Sequence, residues 1–171
     1  MNKYLTLFEQ FLQETDWSYT LHITDEDAGL GYLTCKTSGD HCRLDVVLDA
    51  DPEKDIVMCF VYFPFVVTAE KKHDMAELVC RLNRRVMGCY EFDLDDLLLR
   101  YRISIDVEGG ELVPRMFENL RDSAVAVCDR DFPAMMRLLH GGFSPKEACE
   151  TGPGRETEEP LATPPQGVMI Q

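Results

Sequence analysis

The chain has 171 residues, of which 28% are charged, and a formal net charge of −14 at pH 7. A single domain of this length buries roughly two thirds of the surface that its unfolded chain exposes, so its core needs no disulfide or metal. Because binding to phosphate backbones and anionic membranes is driven mostly by cations, the acidic charge argues against nucleic acid and membranes as partners.

The seven cysteines form no Cys-x-x-Cys pair, and most lie in apolar runs, where a free thiol behaves as a small hydrophobic residue. An odd number of such cysteines is typical of a reduced, cytoplasmic protein. The amino terminus MNKYLTLFEQFLQET has no continuous apolar stretch, and no run in the chain approaches the ~18 apolar residues of a spanning helix. Neither export nor membrane insertion is therefore predicted.

A change of composition at residue 150 predicts a boundary between one folded domain, residues 1–149, and a disordered acidic tail, residues 150–171. The tail ETGPGRETEEPLATPPQGVMIQ has four prolines, three glycines and few large apolar residues. It holds one arginine and four glutamates, which leaves a net charge of −11 on residues 1–149. The folded part is therefore acidic by itself.

The first half of the chain predicts one helix followed by four strands. Apolar residues recur at helical spacing from Tyr4 to Leu12, which indicates an amphipathic helix that ends near residues 15–16. Strand-like alternation begins at Trp17, and three further extended runs follow, LGYLTCKT, HCRLDVVLDA and DIVMCFVYFPF. The turns DEDAG, SGD and DPEK between these runs favour antiparallel hairpins.

Helical period returns between Met75 and Val86, and Gly88 stands where a helix often ends in a left-handed residue. Two alternating runs follow, residues 89–94 and 97–107, separated by an acidic turn. These runs predict a second antiparallel hairpin with one buried face.

A third long helix is predicted from Val113 onwards, with Pro114 in its first turn. Pro133 cannot continue a helical ladder without a kink, so the chain is expected to bend or restart there. Ser144 and Glu147 form a capping box that opens a short final helix. The element order predicts an α+β fold, an antiparallel sheet of about five to six strands flanked by helices.

The stretch RLNRR, residues 81–85, raises the question of an anion or nucleic-acid site. On a helical wheel its arginines lie opposite the apolar stripe, and Glu77 precedes Arg81 by four residues, as in an exposed ion pair. A solvated helix face is the preferred interpretation, because anion sites favour helix N-termini. Asn83 lies at the edge of the stripe, where its amide could bond the neighbouring strand or contact a partner.

No catalytic or metal-binding pattern is recognised. The acidic segments lack the calcium-loop spacing, and His41 and Cys42, even with Cys35 on the adjacent strand, lack the paired spacing of zinc sites. No hydrolase, P-loop or metalloprotease motif occurs. We therefore predict no enzymatic activity, cofactor or metal. A cysteine-based redox sensor, or a metal-dependent sensor or enzyme, is the alternative.

The run ELVCRLNRRVMGCYEFDLDDLLLRYRISIDVEGGEL, residues 77–112, resembles the core of the YbjN family of bacterial sensory transduction regulators. In that family a helix ends in Asn before a strand centred on Phe, an acidic turn and a long strand with Arg. Asn83, Phe92, Arg100 and Arg102 stand at those positions. The resemblance implies a type III secretion chaperone-like fold, frequent homodimers and no established enzymatic activity.

The run from Ile56 to Val67 is apolar at all twelve positions, whereas a strand in a half-solvated antiparallel sheet needs one apolar face. A helix of the same chain could cover the second face, and so could a protein partner or a second copy. The resemblance favours a chaperone-like or regulatory module that binds an unidentified protein partner and forms a homodimer. The candidate partner-binding residues are Phe60, Tyr62, Phe63, Phe65, Asn83, Arg100 and Arg102.

Overall fold

The computed structural model describes residues 3–150, apart from the side chain of Arg85. The helices are α1 (Lys3–Glu14), α2 (Lys72–Leu82), α3 (Pro114–His140) and α4 (Pro145–Glu150). The strands are β1 (Tyr19–Asp25), β2 (Leu30–Ser38), β3 (Arg43–Asp51), β4 (Ile56–Tyr62), β5 (Cys89–Phe92) and β6 (Leu99–Asp106). Short 3-10 turns flank α2 at Ala69–Lys71 and Asn83–Arg85. Glu150 ends α4, and the rest of the predicted tail lies outside the described residues.

The six strands form one antiparallel sheet in the order β1-β2-β3-β4-β6-β5, so the predicted α+β class is confirmed. The first four strands follow one another as a meander. The later hairpin joins the sheet through β6, where Arg102 pairs with Phe60 of β4. This arrangement leaves β5 at the edge of the sheet and brings the arginines of β6 beside the aromatic residues of β4.

The helices pack on one face of the sheet, which we call the inner face. Along β4, Val57, Cys59 and Val61 are fully buried on this face and form part of the hydrophobic core. Helix α1 meets α3 through the rings of Phe8 and Phe117, whose centroids are 5.7 Å apart. Alternate burial along the strands matches the predicted hairpins with one buried face.

The predicted end of the second helix at Gly88 is wrong. Helix α2 ends at Leu82, and Val86 is already extended, with φ −126° and ψ 153°. A Cβ on Gly88 would come 2.2 Å from the carbonyl oxygen of Arg102 and 2.7 Å from the Tyr101 ring. Glycine is therefore needed here for the close approach of two backbones, and not for a left-handed conformation.

Of the two alternatives predicted at Pro133, a bend or a restart, the restart is wrong, because α3 runs through Pro133 as one helix. Pro133 has no N–H to donate to the preceding turn. Ala134, Met135 and Leu138 are nevertheless buried against the core, and this packing holds the helix together. The predicted capping box is confirmed, since the Ser144 N–H donates to Glu147 at 2.9 Å and the Glu147 N–H donates to Ser144 Oγ at 3.3 Å.

Candidate functional site

The candidate site is the sheet face that points away from the helices, which we call the open face. Along β4 the buried residues alternate with Met58, Phe60 and Tyr62 on this face. Residues that pair directly across antiparallel strands share a face, so the register identifies the rest of the surface. Its central side chains are Lys36, Asp45, Val47, Met58, Phe60, Tyr62, Glu91, Arg100 and Arg102.

The centre of the open face is apolar. Val47 lies directly opposite Phe60, and Met58 and Tyr62 flank Phe60 along β4. All four side chains are partly exposed, and no helix among residues 3–150 lies over them. Large apolar side chains thus occupy the middle of a sheet face that is open to solvent.

Two arginines share one carboxylate beside this apolar centre. Arg100 Nε lies 2.8 Å from Glu91 Oε2, and Arg102 Nε lies 2.5 Å from Glu91 Oε1. Burial raises the pKa of Glu91, but the hydrogen bonds from both arginines outweigh it and lower that pKa below its ordinary value. The cluster therefore keeps an excess of one positive charge.

Arg100 is further oriented by the aromatic residues of β4. Its Nη1 donates a hydrogen bond to the Tyr62 hydroxyl at 3.3 Å, and its Cζ lies 4.6 Å from the centroid of the Phe60 ring. A guanidinium stacked on an aromatic ring and bonded to a carboxylate has few free rotamers. The positive charge is therefore held in a defined place on the open face.

The strand on the other side of β4 carries acidic residues. Asp45 lies 3.5 Å from Lys36, and both side chains are largely exposed, at 60% and 87%. Asp49 is partly buried, and burial raises the pKa of its carboxyl above the ordinary value. The open face thus carries two carboxylates on β3, with Arg43 at the first position of that strand, and two arginines on β6.

The structure brings four of the predicted partner-binding residues together: Phe60, Tyr62, Arg100 and Arg102 all lie on the open face. The other three, Phe63, Phe65 and Asn83, lie elsewhere.

Phe63 and Phe65 follow β4 and pack on the helix side. Phe63 is 8% exposed and contacts Tyr90, with ring centroids 6.2 Å apart. Phe65 contacts Phe63 and also Phe132 of α3, with ring centroids 5.4 Å and 6.1 Å apart. The twelve-residue apolar run is therefore a strand with side chains on both faces of the sheet, followed by a connection whose two phenylalanines pack on the helix side.

The stretch RLNRR consists of the last two residues of α2 and the 3-10 turn Asn83–Arg85 that follows them. The Asn83 amide donates to the Tyr90 carbonyl at 3.1 Å and accepts from the Tyr90 N–H at 2.6 Å, so it bonds the neighbouring strand. Arg81 makes the predicted ion pair with Glu77, with Nη2 2.6 Å from Oε1, and Arg84 is exposed. These contacts agree with a solvated helix face.

A second polar cluster lies where the loop between β2 and β3 meets α3. The Asp129 carboxylate accepts hydrogen bonds from the backbone N–H groups of Asp40, His41 and Cys42, at 3.0, 2.9 and 3.2 Å. It also lies 3.0 Å from His41 Nδ1. Three backbone donors on one carboxylate are typical of a loop anchor.

The cysteine environments do not favour a thiolate at these positions. Burial raises the pKa of Cys35 to about 11, and burial with the nearby Asp129 carboxylate raises that of Cys42 to about 11. Burial also raises the pKa values of Cys59 and Cys128. These four thiols are therefore protonated near neutral pH and weak nucleophiles.

Within residues 3–150 no group of three or more His, Cys, Asp or Glu side chains is placed to hold a metal ion. Over the same residues, no helix combines the length and the apolar character that crossing a membrane requires.

Two residues that organise these clusters were not predicted from the sequence. Glu91 stands in an alternating run, and its pairing with Arg100 across the hairpin could have been found from the turn between them. Asp129 lies in α3, 89 positions along the chain from Asp40, and no local sequence pattern indicates its contacts.

No curated protein matches the sequence. The model of the YbjN family, whose description is "Putative bacterial sensory transduction regulator", matches residues 5–137. The match covers all six strands and most of α3. The chain therefore belongs to the YbjN family.

Proposed function

We propose that this chain is a non-enzymatic regulator that works by binding protein through the open face. The observation that carries the proposal is the partly exposed apolar centre of that face, Val47, Met58, Phe60 and Tyr62, with no helix of residues 3–150 over it. An exposed apolar patch bordered by polar groups is typical of protein interfaces. The family description, a regulator of sensory transduction, supports a regulatory role.

The occupant that we propose for this face is a second copy of the chain. The face carries cations on β6, Arg100 and Arg102, and anions on β3, Asp45 and Asp49. A surface with both signs of charge can complement itself, as the isologous interface of a two-fold dimer requires. The homodimer also agrees with the family resemblance.

Within this proposal the predicted residues have different roles. Phe60 and Tyr62 supply apolar contact, and Arg100 and Arg102 supply the polar border. Phe63, Phe65 and Asn83 act indirectly, because they attach β4 and β5 to the helices. A cytoplasmic location and a secretion chaperone-like architecture belong to the same proposal.

A cysteine-based redox sensor or a metal-dependent enzyme has less support. Four of the seven thiols have pKa values raised by their surroundings, so thiolates are scarce there near neutral pH. Metal analysis and thiol titration of protein purified under reducing conditions would reveal this alternative as stoichiometric zinc or one unusually reactive thiol.

The test is the mass in solution, measured by light scattering coupled to size exclusion. A dimer has a mass of about 39 kDa, twice the 19.5 kDa of the chain. Tyr62→Asp places a carboxylate in the apolar centre, and we expect it to weaken association at least about 100-fold, as at an interface hot spot. The matched control is Val66→Asp, because Val66 is 75% exposed and lies outside the open face.

Circular dichroism and thermal unfolding establish that each variant is folded. If Tyr62→Asp does not fold, Met58→Asp repeats the test four residues along the same strand, on the same face. A wild-type mass of 19.5 kDa across a tenfold concentration range would reject the homodimer.

A further inference from the structure

We propose that two copies meet open face to open face about a two-fold axis parallel to β4, so that Arg100 of one copy lies opposite Asp45 of the other and Lys36 lies opposite Glu91. This inference rests on the proposed function, in which a second copy occupies the open face. It adds the orientation of that copy.

One row of side chains crosses five neighbouring strands in register. Lys36 pairs with Asp45, Asp45 with Tyr62, Tyr62 with Arg100, and Arg100 with Glu91. Outwards from Tyr62 the row reads anion then cation on one side, and cation then anion on the other. Reversing the row about Tyr62 therefore places every charge over its opposite.

A two-fold axis in the interface plane and parallel to β4 performs this reversal. It lays β6 of one copy over β3 of the other, and β5 over β2, in the observed strand order. The contacts between Arg100 and Asp45 and between Lys36 and Glu91 then each occur twice. Asp45 and Lys36 pair with each other within the chain, but both side chains are largely exposed, so each can also contact a charged group of the second copy.

The other two-fold axis in the interface plane, across the strands at the level of Phe60, places like charges together. Asp45 and Asp49 lie on either side of Val47, the partner of Phe60, so this axis lays Asp45 over Asp49. It also lays Arg102, the partner of Phe60 on β6, over its own copy. Like charges in contact oppose association, so the charge pattern selects the axis parallel to β4.

The apolar contacts fall on the same axis. Met58, Phe60 and Tyr62 all lie along β4, so the axis brings them together with their counterparts in the second copy. Sheets that pack face to face are about 10 Å apart and aligned within about 30°, a gap that arginine and lysine side chains span from the two sides. At the Ile56 end of β4 the axis lays Asp106 of one copy over Asp51 of the other, which are like charges. The Asp51 carboxylate is neutralised within its own chain by Lys54, at 2.7 Å.

The open face is large enough for a stable dimer. The axis leaves β1 without a facing strand, and the other five strands, about 4.8 Å apart and about 25 Å long, give a projected area on the order of 600 Å². Side chains that stand out from the sheet make the accessible area larger than this projection. A standard interface buries about 800 Å² on each partner, so most of the open face would be used.

The first test is the double variant Lys36→Glu with Asp45→Lys. This exchange keeps the ion pair within the chain and the net charge, but it sets the new lysine of β3 against Arg100 of the second copy and the new glutamate of β2 against Glu91. We expect the dimer to be at least about 100-fold weaker, because four like-charge contacts replace four attractive ones. Arg115→Glu is the control, as Arg115 is 79% exposed on the first turn of α3.

The second test mixes two single variants, Asp45→Arg and Arg100→Asp. Each alone opposes like charges in its own homodimer, whereas a mixed pair restores both attractive contacts. We expect each variant alone to be at least about 100-fold weaker than wild type. Native mass spectrometry of the mixture should show a one-to-one heterodimer within about tenfold of the wild-type affinity.

The outcomes separate this inference from the proposed function. If Tyr62→Asp abolishes the dimer but the Lys36 and Asp45 exchange leaves it unchanged, the open face is the interface and the proposed axis is wrong. If the mixture of folded single variants forms no heterodimer, the opposition of Arg100 and Asp45 is refuted. A monomeric wild type overturns both the axis and the dimer.

Discussion

At the scale of single residues, Asp129 joins the β2–β3 loop to α3. Its carboxylate accepts three backbone N–H groups of the β2–β3 loop and lies 3.0 Å from His41 Nδ1. A Cβ on Gly39 would lie 2.1 Å from Asp129 Oδ1, so the loop and α3 are in close contact. One carboxylate thus attaches the far end of the β2–β3 hairpin to the longest helix.

We predict that Asp129→Asn lowers the free energy of unfolding by about 2 to 3 kcal/mol near neutral pH. The change removes charge-assisted hydrogen bonds and points an amide N–H towards backbone donors. Urea unfolding followed by circular dichroism measures the difference. The control is Asp27→Asn, an exposed aspartate in the β1–β2 turn. An effect no larger than that of the control would show that the loop is held by other contacts.

The contacts of Asp129 also predict that the free energy of unfolding depends on pH in the acid range. Burial raises the pKa of the Asp129 carboxyl, but the hydrogen bonds from His41, Asp40 and Cys42 outweigh it and lower that pKa below its ordinary value. A carboxyl with a lowered folded pKa stabilises the fold fully above its unfolded pKa of about 3.9, and this stability is lost as the pH falls through the folded pKa.

The difference in unfolding free energy between wild type and Asp129→Asn should therefore be present at pH 5 and shrink below about pH 4. Urea unfolding of both proteins at about pH 5, 4 and 3 measures it. A difference that keeps its full size at the lowest of these pH values would mean that the ionised carboxylate is not what holds the loop.

At the scale of elements, α3 carries a proline in its interior without a break. Proline at such a position removes one hydrogen bond of the helix and is about 3 kcal/mol less favourable than alanine. We predict that Pro133→Ala raises the free energy of unfolding by about 1 to 3 kcal/mol, since it restores an N–H donor. Chemical unfolding measures the change.

Ala126→Gly, at an exposed position of the same helix, calibrates the propensity scale with an expected loss of about 1 kcal/mol. If Pro133→Ala is neutral or destabilising while Ala126→Gly behaves as expected, the Pro133 ring must make packing contacts that offset the missing hydrogen bond.

At the scale of the whole molecule, the net charge limits the partners. Residues 1–149 carry a net charge of −11, and the cation Arg81 of RLNRR is already paired with Glu77. We predict a Kd above about 1 µM for a single-stranded RNA or DNA of about 20 nucleotides at physiological salt, and a steep fall of any binding as salt rises. Fluorescence anisotropy measures this, and submicromolar binding would contradict it.

The whole molecule also determines how the open face works. Arg100, Phe60 and Tyr62 come from two strands that are separated by α2 and β5 in the chain, and only the insertion of β6 between β4 and β5 makes them neighbours. The charge row from Lys36 to Glu91 depends on the same strand order. A binding surface of this kind is a property of the assembled sheet.

The sequence by itself determined the elements of this protein. Alternation in the runs around Leu21 and Tyr101 predicted strands, the continuous apolar run around Phe60 predicted a further strand, and the glycine- and aspartate-rich turns predicted antiparallel hairpins. These features are local. The spacing of apolar residues within a short segment shows which side chains are buried, and this spacing differs between a helix and a strand. The family resemblance carried by residues 77–112 could likewise be recognised from the sequence, because these residues form one continuous segment. The family match confirms it.

Tertiary structure alone decided the strand order, the exposed side of β4 and the partners of Glu91 and Asp129. The contact between Asp129 and Asp40 joins residues 89 positions apart, and no local period reports such a pairing. Gly88 and Pro133 were misread because their roles depend on the backbone and the core packed against them. Contacts between distant segments form only after the chain between them has closed into a loop, which costs entropy. The strand order therefore depends on the contacts of the whole sheet, and a short stretch of sequence does not contain them.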